Sequence, residues 1–461
     1  MNLGLFTPEY VILGTAVLLL FLAVLVPRRP VIFNSISVLG VILAMFLTMV
    51  SVGRAGTLGM LQVTPLSRIF DLMFLAATLL VVLMSLDYFD GREVGGELYF
   101  FLLMALLAMM VLAKARHLVA AFLALELLSF SLFVLVALLK EEGALRAALK
   151  FFFSGAYSSS FFLMGMALLL ISSGSLYLDR FLFGHHLPLT LVGLAFLLVG
   201  FGFKLVYVPF HLWTPDVFQG APTPVVAFVA TAPKVAGFAL LLQVLARALV
   251  PLAGHWMPIL VGLAVLTMLT GNLAALRETD VKRILAFSTI AHAGYLLLAF
   301  GVNTTRAYQS LTLYLLAYVF MTVGAFAGLA YLQERTRLEQ LRGLARRDPW
   351  LALFLSLFFV ALAGIPPTAG FAAKFYLLGS VVQAGHPGLA LFAFLNGVVS
   401  AYYYLRVPAS MYMYEATEQT ATVPGGRRYS LLGTVMWVSV ILVLYLGIYP
   451  HTFLEVIRQV F

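Results

Sequence analysis

Residues 191–216 read LVGLAFLLVGFGFKLVYVPFHLWTPD, an apolar run that carries Lys204 and is then interrupted by Pro209, His211 and Pro215. Proline removes a backbone donor and its ring clashes with the preceding turn, so a helix must break or kink here. Broken backbone at membrane depth survives only where it is buried in protein or faces a wet cavity. A second stretch of the same kind, Gly364-Ile-Pro366-Pro367-Thr-Ala-Gly370-Phe-Ala-Ala-Lys374, follows later in the chain. Two unrelated proline kinks are the plain alternative, but each break also carries a lysine.

Composition sets the solvent. The 461 residues are 63% hydrophobic and 10% charged, against about 45–50% and 25% in soluble domains. No soluble core hides that much apolar surface, so the solvent is lipid. The formal charge of +9 fits the excess of Lys and Arg in cytoplasmic loops better than nucleic-acid binding. With no cysteine, disulfides, thiolate iron–sulfur ligation and thiol nucleophiles are excluded. The first apolar run has no basic segment before it and no small-residue cleavage site after it, and reads as a retained span.

A spanning helix takes about 20 mostly apolar residues. That length predicts an all-α polytopic membrane protein of about fourteen spans, near 9–27, 31–52, 68–86, 97–113, 116–139, 144–172, 189–210, 223–246, 256–276, 282–301, 305–333, 350–380, 388–414 and 429–457. The fourth and fifth are joined only by Lys114-Ala-Arg116, a tight hairpin. An even number of spans puts both termini on one side. With both outside, the inside loops hold about 15 Lys and Arg and the outside segments about 8, so the termini are expected on the periplasmic face. The densest inside loop, Arg335 to Arg347, reads as a solvated topogenic loop.

The two breaks lie five spans apart. Interrupted helices at corresponding positions of two halves point to inverted repeats and a transport site. We therefore expect an N-terminal three-helix segment over 1–96, a five-helix repeat over 97–250, a second, inverted one over 251–415, and a C-terminal helix over 416–461.

Four ionisable residues fall well inside spans. Glu126 lies about ten residues into the fifth span, about 15 Å deep at 1.5 Å per residue. Lys204 precedes the break in the seventh, Lys234 lies in the eighth within Ala-Pro-Lys-Val-Ala-Gly, and Lys374 follows the double proline of the twelfth. Unpaired, four such charges would cost on the order of 10 kcal/mol. They must pair, hydrate or neutralise. A buried lysine balanced between desolvation and a nearby carboxylate can take and release a proton near neutral pH, which is what a relay needs. For any one of them a structural ion pair or a snorkelling lysine is the alternative. Lys150, near the start of the sixth span, fits snorkelling equally well. His292 in the tenth span is a candidate link between the halves and fits a packing histidine bonded to Ser288 equally well. His211 sits at the first break and is either structural or a gate for proton exit. His185 and His186, adjacent in a loop, read as solvated. No metal site is expected. There is no phosphate-binding loop, dinucleotide fingerprint, haem-type histidine pair or Ser/His/Asp arrangement, so the chain runs on ion gradients or belongs to a larger machine.

The stretches ALKFFFSGAYSSS (148–160), GFKLVYVPFHLWTPDVFQGAPTPVVAFVATAPKVAGFA (202–239), VKRILAFSTIAHAGYLLL (281–298) and LAGIPPTAGFAAKFYLL (362–378), with Tyr402-Tyr-Tyr-Leu-Arg406, resemble the antiporter-like subunits of bacterial respiratory complex I, NADH-quinone oxidoreductase, and most of all the subunit N type. The resemblance spans roughly residues 90–415. It implies fourteen helices with two inverted five-helix repeats. It also implies that Glu126 pairs with Lys204, that Lys234 connects the half-channels, and that Lys374 lies on the periplasmic exit side. Lysine at 374 argues against a sister subunit type that has glutamate there.

On this resemblance the chain is a subunit of a proton-translocating enzyme in the cell inner membrane, with no redox chemistry of its own. NADH, FMN, iron–sulfur clusters and quinone belong to other subunits. The expected partners are neighbouring antiporter-like and small membrane subunits and the lipid bilayer, with no nucleic acid. The alternatives are a subunit of a multi-subunit cation/proton antiporter and a purely structural scaffold.

Overall fold

The computed structural model describes residues 3–25, 29–92, 94–181, 186–333, 335–416 and 431–461. His185 and residues 417–430, including the first two residues of the expected fourteenth span, lie outside the described residues. The chain runs through α1 (Thr7–Leu25), α2 (Pro30–Val50), β1 (Gly56–Leu58), β2 (Leu61–Val63), α3 (Pro65–Tyr88), α4 (Gly96–Leu112), α5 (Leu118–Val136), α6 (Glu142–Ser173) and α7 (Leu187–Leu205). It continues through α8 (Thr214–Gly220), α9 (Thr223–Ala230), α10 (Ala232–Gln243), α11 (Ala253–Ala275), α12 (Val281–Val302) and α13 (Thr305–Tyr331). It ends with α14 (Leu344–Arg347), α15 (Pro349–Ala363), α16 (Ala369–Gln383), α17 (Pro387–Met413), α18 (Leu431–Ile448) and α19 (Pro450–Arg458).

Among the described residues 12 helices are long and apolar enough to cross a membrane. The 17-residue α4 and the broken pair α15–α16 supply the two further spans that the sequence predicts. Helix ends follow local chemistry. Asp280 caps α12 by accepting from Arg283 N at 3.1 Å, and Asp348 caps α15 by accepting from Leu351 N at 3.0 Å, each satisfying one orphan donor of a first turn. Gly174, Asn303 and Gly364 close α6, α12 and α15 in the left-handed conformation.

Three expectations are corrected. The seventh span stops at Leu205, not near 210, because Val206 turns left-handed at φ 63° and the chain runs irregularly to α8. The eighth span is itself interrupted between α9 and α10, where Pro233 opens α10, and it ends in a π-helical turn at Val244–Ala248. The last stretch is two helices, since Pro450 starts the short amphipathic α19. Leu454 and Ile457 of α19 are buried while Glu455 and Arg458 are exposed, the pattern of a helix lying on a surface rather than spanning. A small antiparallel hairpin, β1–β2, with Gly59 at its turn in the left-handed region, lies between α2 and α3 in this otherwise helical fold.

The chain forms two compact units. Unit one is Met1–Val82, Phe89–Trp213 and Gly220–Trp256; unit two is Leu83–Tyr88, Thr214–Gln219 and Met257–Phe461. In unit one α1 packs on α2 and α4, α4 on α5, and α6 along α7, while α10 packs on α4 and α7. The most apolar stretch of the eighth span is entirely buried, whereas that of α1 is 28% buried, so the lysine-bearing α10 is interior and α1 faces outward. In unit two α13 is central, packed by α15, α16 and α18, and α15 runs along α17. Outward-facing Phe46, Phe153, Tyr157, Phe375 and Leu391 form the apolar surface a bilayer requires.

Candidate functional site

The first break is built on close packing. Gly202 is needed because a Cβ there would lie 2.1 Å from the ring of Phe210. The Tyr207 hydroxyl donates back to Leu198 O, folding the irregular segment onto the helix it leaves. Trp213 stacks on Phe151, with ring centroids 4.3 Å apart, and lies 5.2 Å from Phe203. Pro209 is exposed, and Pro215 is the second residue of α8, where its missing N–H costs nothing. His211 is buried, and its Nδ1 makes no hydrogen bond.

Lys204 occupies the last turn of α7, where the free carbonyls of the helix end attract a cation. Its Nζ is buried and makes no hydrogen bond. Glu126 of α5 accepts a hydrogen bond from Ser159 of α6. Glu126 and Lys204 line one cavity of about 10 Å³ with Ser129, Ser158 and Ser159. Room for one water starts at roughly 10–15 Å³ and needs 2–4 polar partners, which this lining offers. The two charges thus share a small pocket, closed on its other sides by Phe122, Leu125, Phe162 and Phe203, without touching.

Lys234 is the third residue of α10, directly after the break, and is 2% exposed. Its backbone N donates to Thr231 O at 3.0 Å. The first turn of a helix repels a cation, the reverse of the setting of Lys204.

In unit two the double proline separates α15 from α16. Lys374, on the second turn of α16, donates Nζ to Ala363 O at 2.7 Å and to Leu362 O at 3.1 Å. These are carbonyls that the break left without intrahelical partners, so the interruption creates the ammonium site. Gly364, at φ 87°, both ends α15 and leaves room for the lysine stem, since a Cβ there would lie 2.9 Å from Lys374 Cδ. Lys374 Nζ also lies 5.4 Å from the Tyr295 ring centroid and lines a largely apolar cavity of about 690 Å³.

His292 of α12 is buried at the centre of a hydroxyl network. Its Nδ1 lies 2.7 Å from Tyr314 Oη and its Nε2 3.1 Å from Tyr404 Oη; Tyr404 in turn lies 2.5 Å from Ser288 Oγ. Ser288 therefore reaches the imidazole through Tyr404. The sequence reading missed both tyrosines as partners of His292. The available signal was spacing: Ser288 and His292 lie four apart on α12, as do Tyr314 and Tyr318 on α13. Lys150 sits on the exposed face of α6, away from the interior that holds Lys204. Among the described residues no group of three or more His, Cys, Asp or Glu is placed to hold a metal.

Residues 115–400 match the family described as NADH:quinone oxidoreductase/Mrp antiporter, TM. NADH-quinone oxidoreductase subunit N of Nitrosomonas europaea is 38% identical over 404 residues, covering 85% of this chain and 83% of that protein. A chain of respiratory complex I from Thermus thermophilus superposes with a TM-score of 0.84 at 37% identity, covering 97% of this chain and 99% of that one. A chain of the Mrp complex from Dietzia sp. superposes at 0.89 over 100% of this chain and 97% of that one, with 19% identity, a likeness of fold alone. Interrupted spans, buried lysines and these similarities agree: this chain belongs to the NADH:quinone oxidoreductase/Mrp antiporter transmembrane family, among the proteins of the subunit N type.

Proposed function

We propose that this chain translocates protons in the membrane arm of an NADH:quinone oxidoreductase, using Glu126, Lys204, Lys234 and Lys374 as the relay. The observation that carries this reading is the small pocket shared by Glu126 and Lys204 at the end of a broken helix, walled by Phe122, Phe162 and Phe203 as well as three serines. Two opposite charges that face one water-sized space without touching can exchange a proton through that water as their separation changes. Entry from the cytoplasm charges Lys204 and then Lys234. Lys374, held by the carbonyls of α15, hands the proton to the periplasm, and the network around His292 is the intermediate carrier in unit two. Flavin, iron–sulfur, nicotinamide and quinone chemistry belongs in this reading to other subunits, and the termini face the periplasm. The four segments 1–96, 97–250, 251–415 and 416–461 are its frame, repeat, inverted repeat and closing helix.

The fold alone does not separate this reading from a cation/proton antiporter subunit. The 38% identity to a subunit N over most of both chains favours the oxidoreductase. Glu126→Gln and Lys204→Met, each in the whole complex in membrane vesicles, are expected to lower NADH-driven proton uptake and quinone reduction by about tenfold or more, the scale of losing a positioned proton-transfer group. NADH oxidation by an artificial acceptor, which bypasses the membrane arm, stays at the wild-type rate. Wild-type proton uptake in both variants removes the assignment. Purification with other antiporter subunits and no redox subunits turns it to the rival.

A further inference from the structure

The α4–α5 turn is a second buried polar centre of unit one that the relay does not use. In the sequence, Lys114-Ala-Arg116 is a hairpin connector; in the structure Lys114 is fully buried. Its Nζ donates to Asp71 Oδ1 and Oδ2 at 2.6 and 2.5 Å and to Met110 O at 3.1 Å, and lies 2.7 Å from Glu9 Oε1. Arg68, also fully buried, donates Nη1 to Asp71 Oδ2 at 3.3 Å and to Glu9 Oε1 at 3.5 Å, and Nη2 to Leu5 O. Two carboxylates and two cations, from α1, α3 and the turn, thus meet out of water, while Glu9 Oε2 and Arg68 Nε make no hydrogen bond. A buried ion pair stabilises little compared with apolar packing, but it is specific in geometry, and losing one member leaves the others stranded.

The same turn is fixed from three other directions. Gln62 N of β2 donates to Lys114 O at 2.7 Å, and Arg116 N donates to Met60 O at 3.0 Å. Leu178 N donates to Arg116 O at 2.8 Å. Gln243, the last residue of α10, donates Nε2 to Ala113 O at 2.9 Å. From this point α5 leaves with Glu126 eight residues beyond Leu118, about 12 Å away. To this point α10 returns, with Lys234 nine residues before Gln243, about 14 Å away. Two of the three helices that carry relay charges in unit one, α5 and α10, are anchored at one place.

We propose that Lys114, with Asp71, Glu9 and Arg68, is a positioning site for the relay, and that Gln243 extends its hold to α10. The site pins the ends of α5 and α10 to α1 and α3, so that Glu126 and Lys234 move against a fixed frame. The proposal rests on the relay reading given above.

The test uses the whole complex in membrane vesicles, with turnover and proton uptake normalised to assembled complex. Lys114→Met is expected to lower kcat and proton uptake about tenfold with the quinone KM unchanged, since an ångström of misplacement can cost up to about a hundredfold. Lys114→Arg restores most of the rate, and Gln243→Leu lowers it about threefold, as the loss of one tether among several. A Lys114→Met complex that assembles poorly but turns over at the wild-type rate per complex overturns the proposal, because the cluster then serves stability alone. Where Lys114→Met does not assemble, Gln243→Leu decides, with wild-type turnover counting against the proposal and a several-fold fall supporting it. Glu126→Gln, measured alongside, separates the two readings. Wild-type proton uptake in that variant and in Lys204→Met overturns the relay itself. Lost uptake there, with wild-type turnover in Lys114→Met and Gln243→Leu, overturns only the positioning role.

Discussion

A buried lysine is defined by what surrounds its amine, and three lysines of this chain have three different settings. Lys204 sits at a helix C-terminus beside a pocket shared with Glu126. Lys234 sits at a helix N-terminus in a fully buried span. Lys374 is held by two carbonyls that a double proline released. The last setting depends on Gly364. Alanine there would meet a left-handed backbone that costs an L-residue about 1–2 kcal/mol, and its Cβ would press on the lysine stem. Gly364→Ala is expected to reduce assembled complex modestly and proton uptake per complex several-fold. Gly364→Asn, which tolerates left-handed backbone, recovers the assembly but not the uptake. Blue-native gels and vesicle acidification measure the two separately, and full proton uptake in the alanine variant would disprove the dependence on Gly364.

At the scale of the element, prolines place the lysines. The breaks after α7 and α15 were legible because Pro209 with Pro215, and Pro366 with Pro367, crowd short stretches. The break between α9 and α10 was not, because Ala232-Pro233-Lys234 puts a single proline in an unbroken apolar run, which a kinked helix also tolerates. Pro233 opens α10 there and sets Lys234 in its first turn. Pro233→Ala lifts the cost of about 3 kcal/mol that proline would impose on a continuous helix through this point, letting α9 and α10 join and turning the Lys234 amine away from its place. The variant is expected to leave the temperature of thermal dissociation of the complex unchanged or higher while lowering turnover several-fold. A variant at least as stable and fully active would show that the interruption is incidental.

For the whole molecule, membrane residence and the number of spans follow from the length and composition of the apolar runs, and the proposed orientation rests on the distribution of Lys and Arg. The proposed periplasmic placement of the termini predicts that alkaline phosphatase, active only in an oxidising compartment, is active when fused after Phe461 and inactive when fused into the basic loop at 335–347. The opposite pattern would invert the direction of the relay. The charged cluster at Lys114 escaped the sequence reading for a matching reason. Glu9 and Arg68 lie in the first turns of their helices, Asp71 in a second turn and Lys114 just past the end of its own helix, close to the ends where charges ordinarily meet water.

By itself the sequence determined a helical membrane protein with two proline-broken spans and four ionisable residues too deep to be accidental, because hydrophobic length and backbone chemistry act locally. Only the tertiary structure decided which groups meet: Glu126 with Ser159, Lys374 with the carbonyls of α15, His292 with Tyr314 and Tyr404, and Lys114 with Asp71 and Glu9. Those meetings join residues up to 112 positions apart, as His292 and Tyr404 are. Distance along the chain carries no record of them, since helix packing alone brings such side chains within hydrogen-bonding reach.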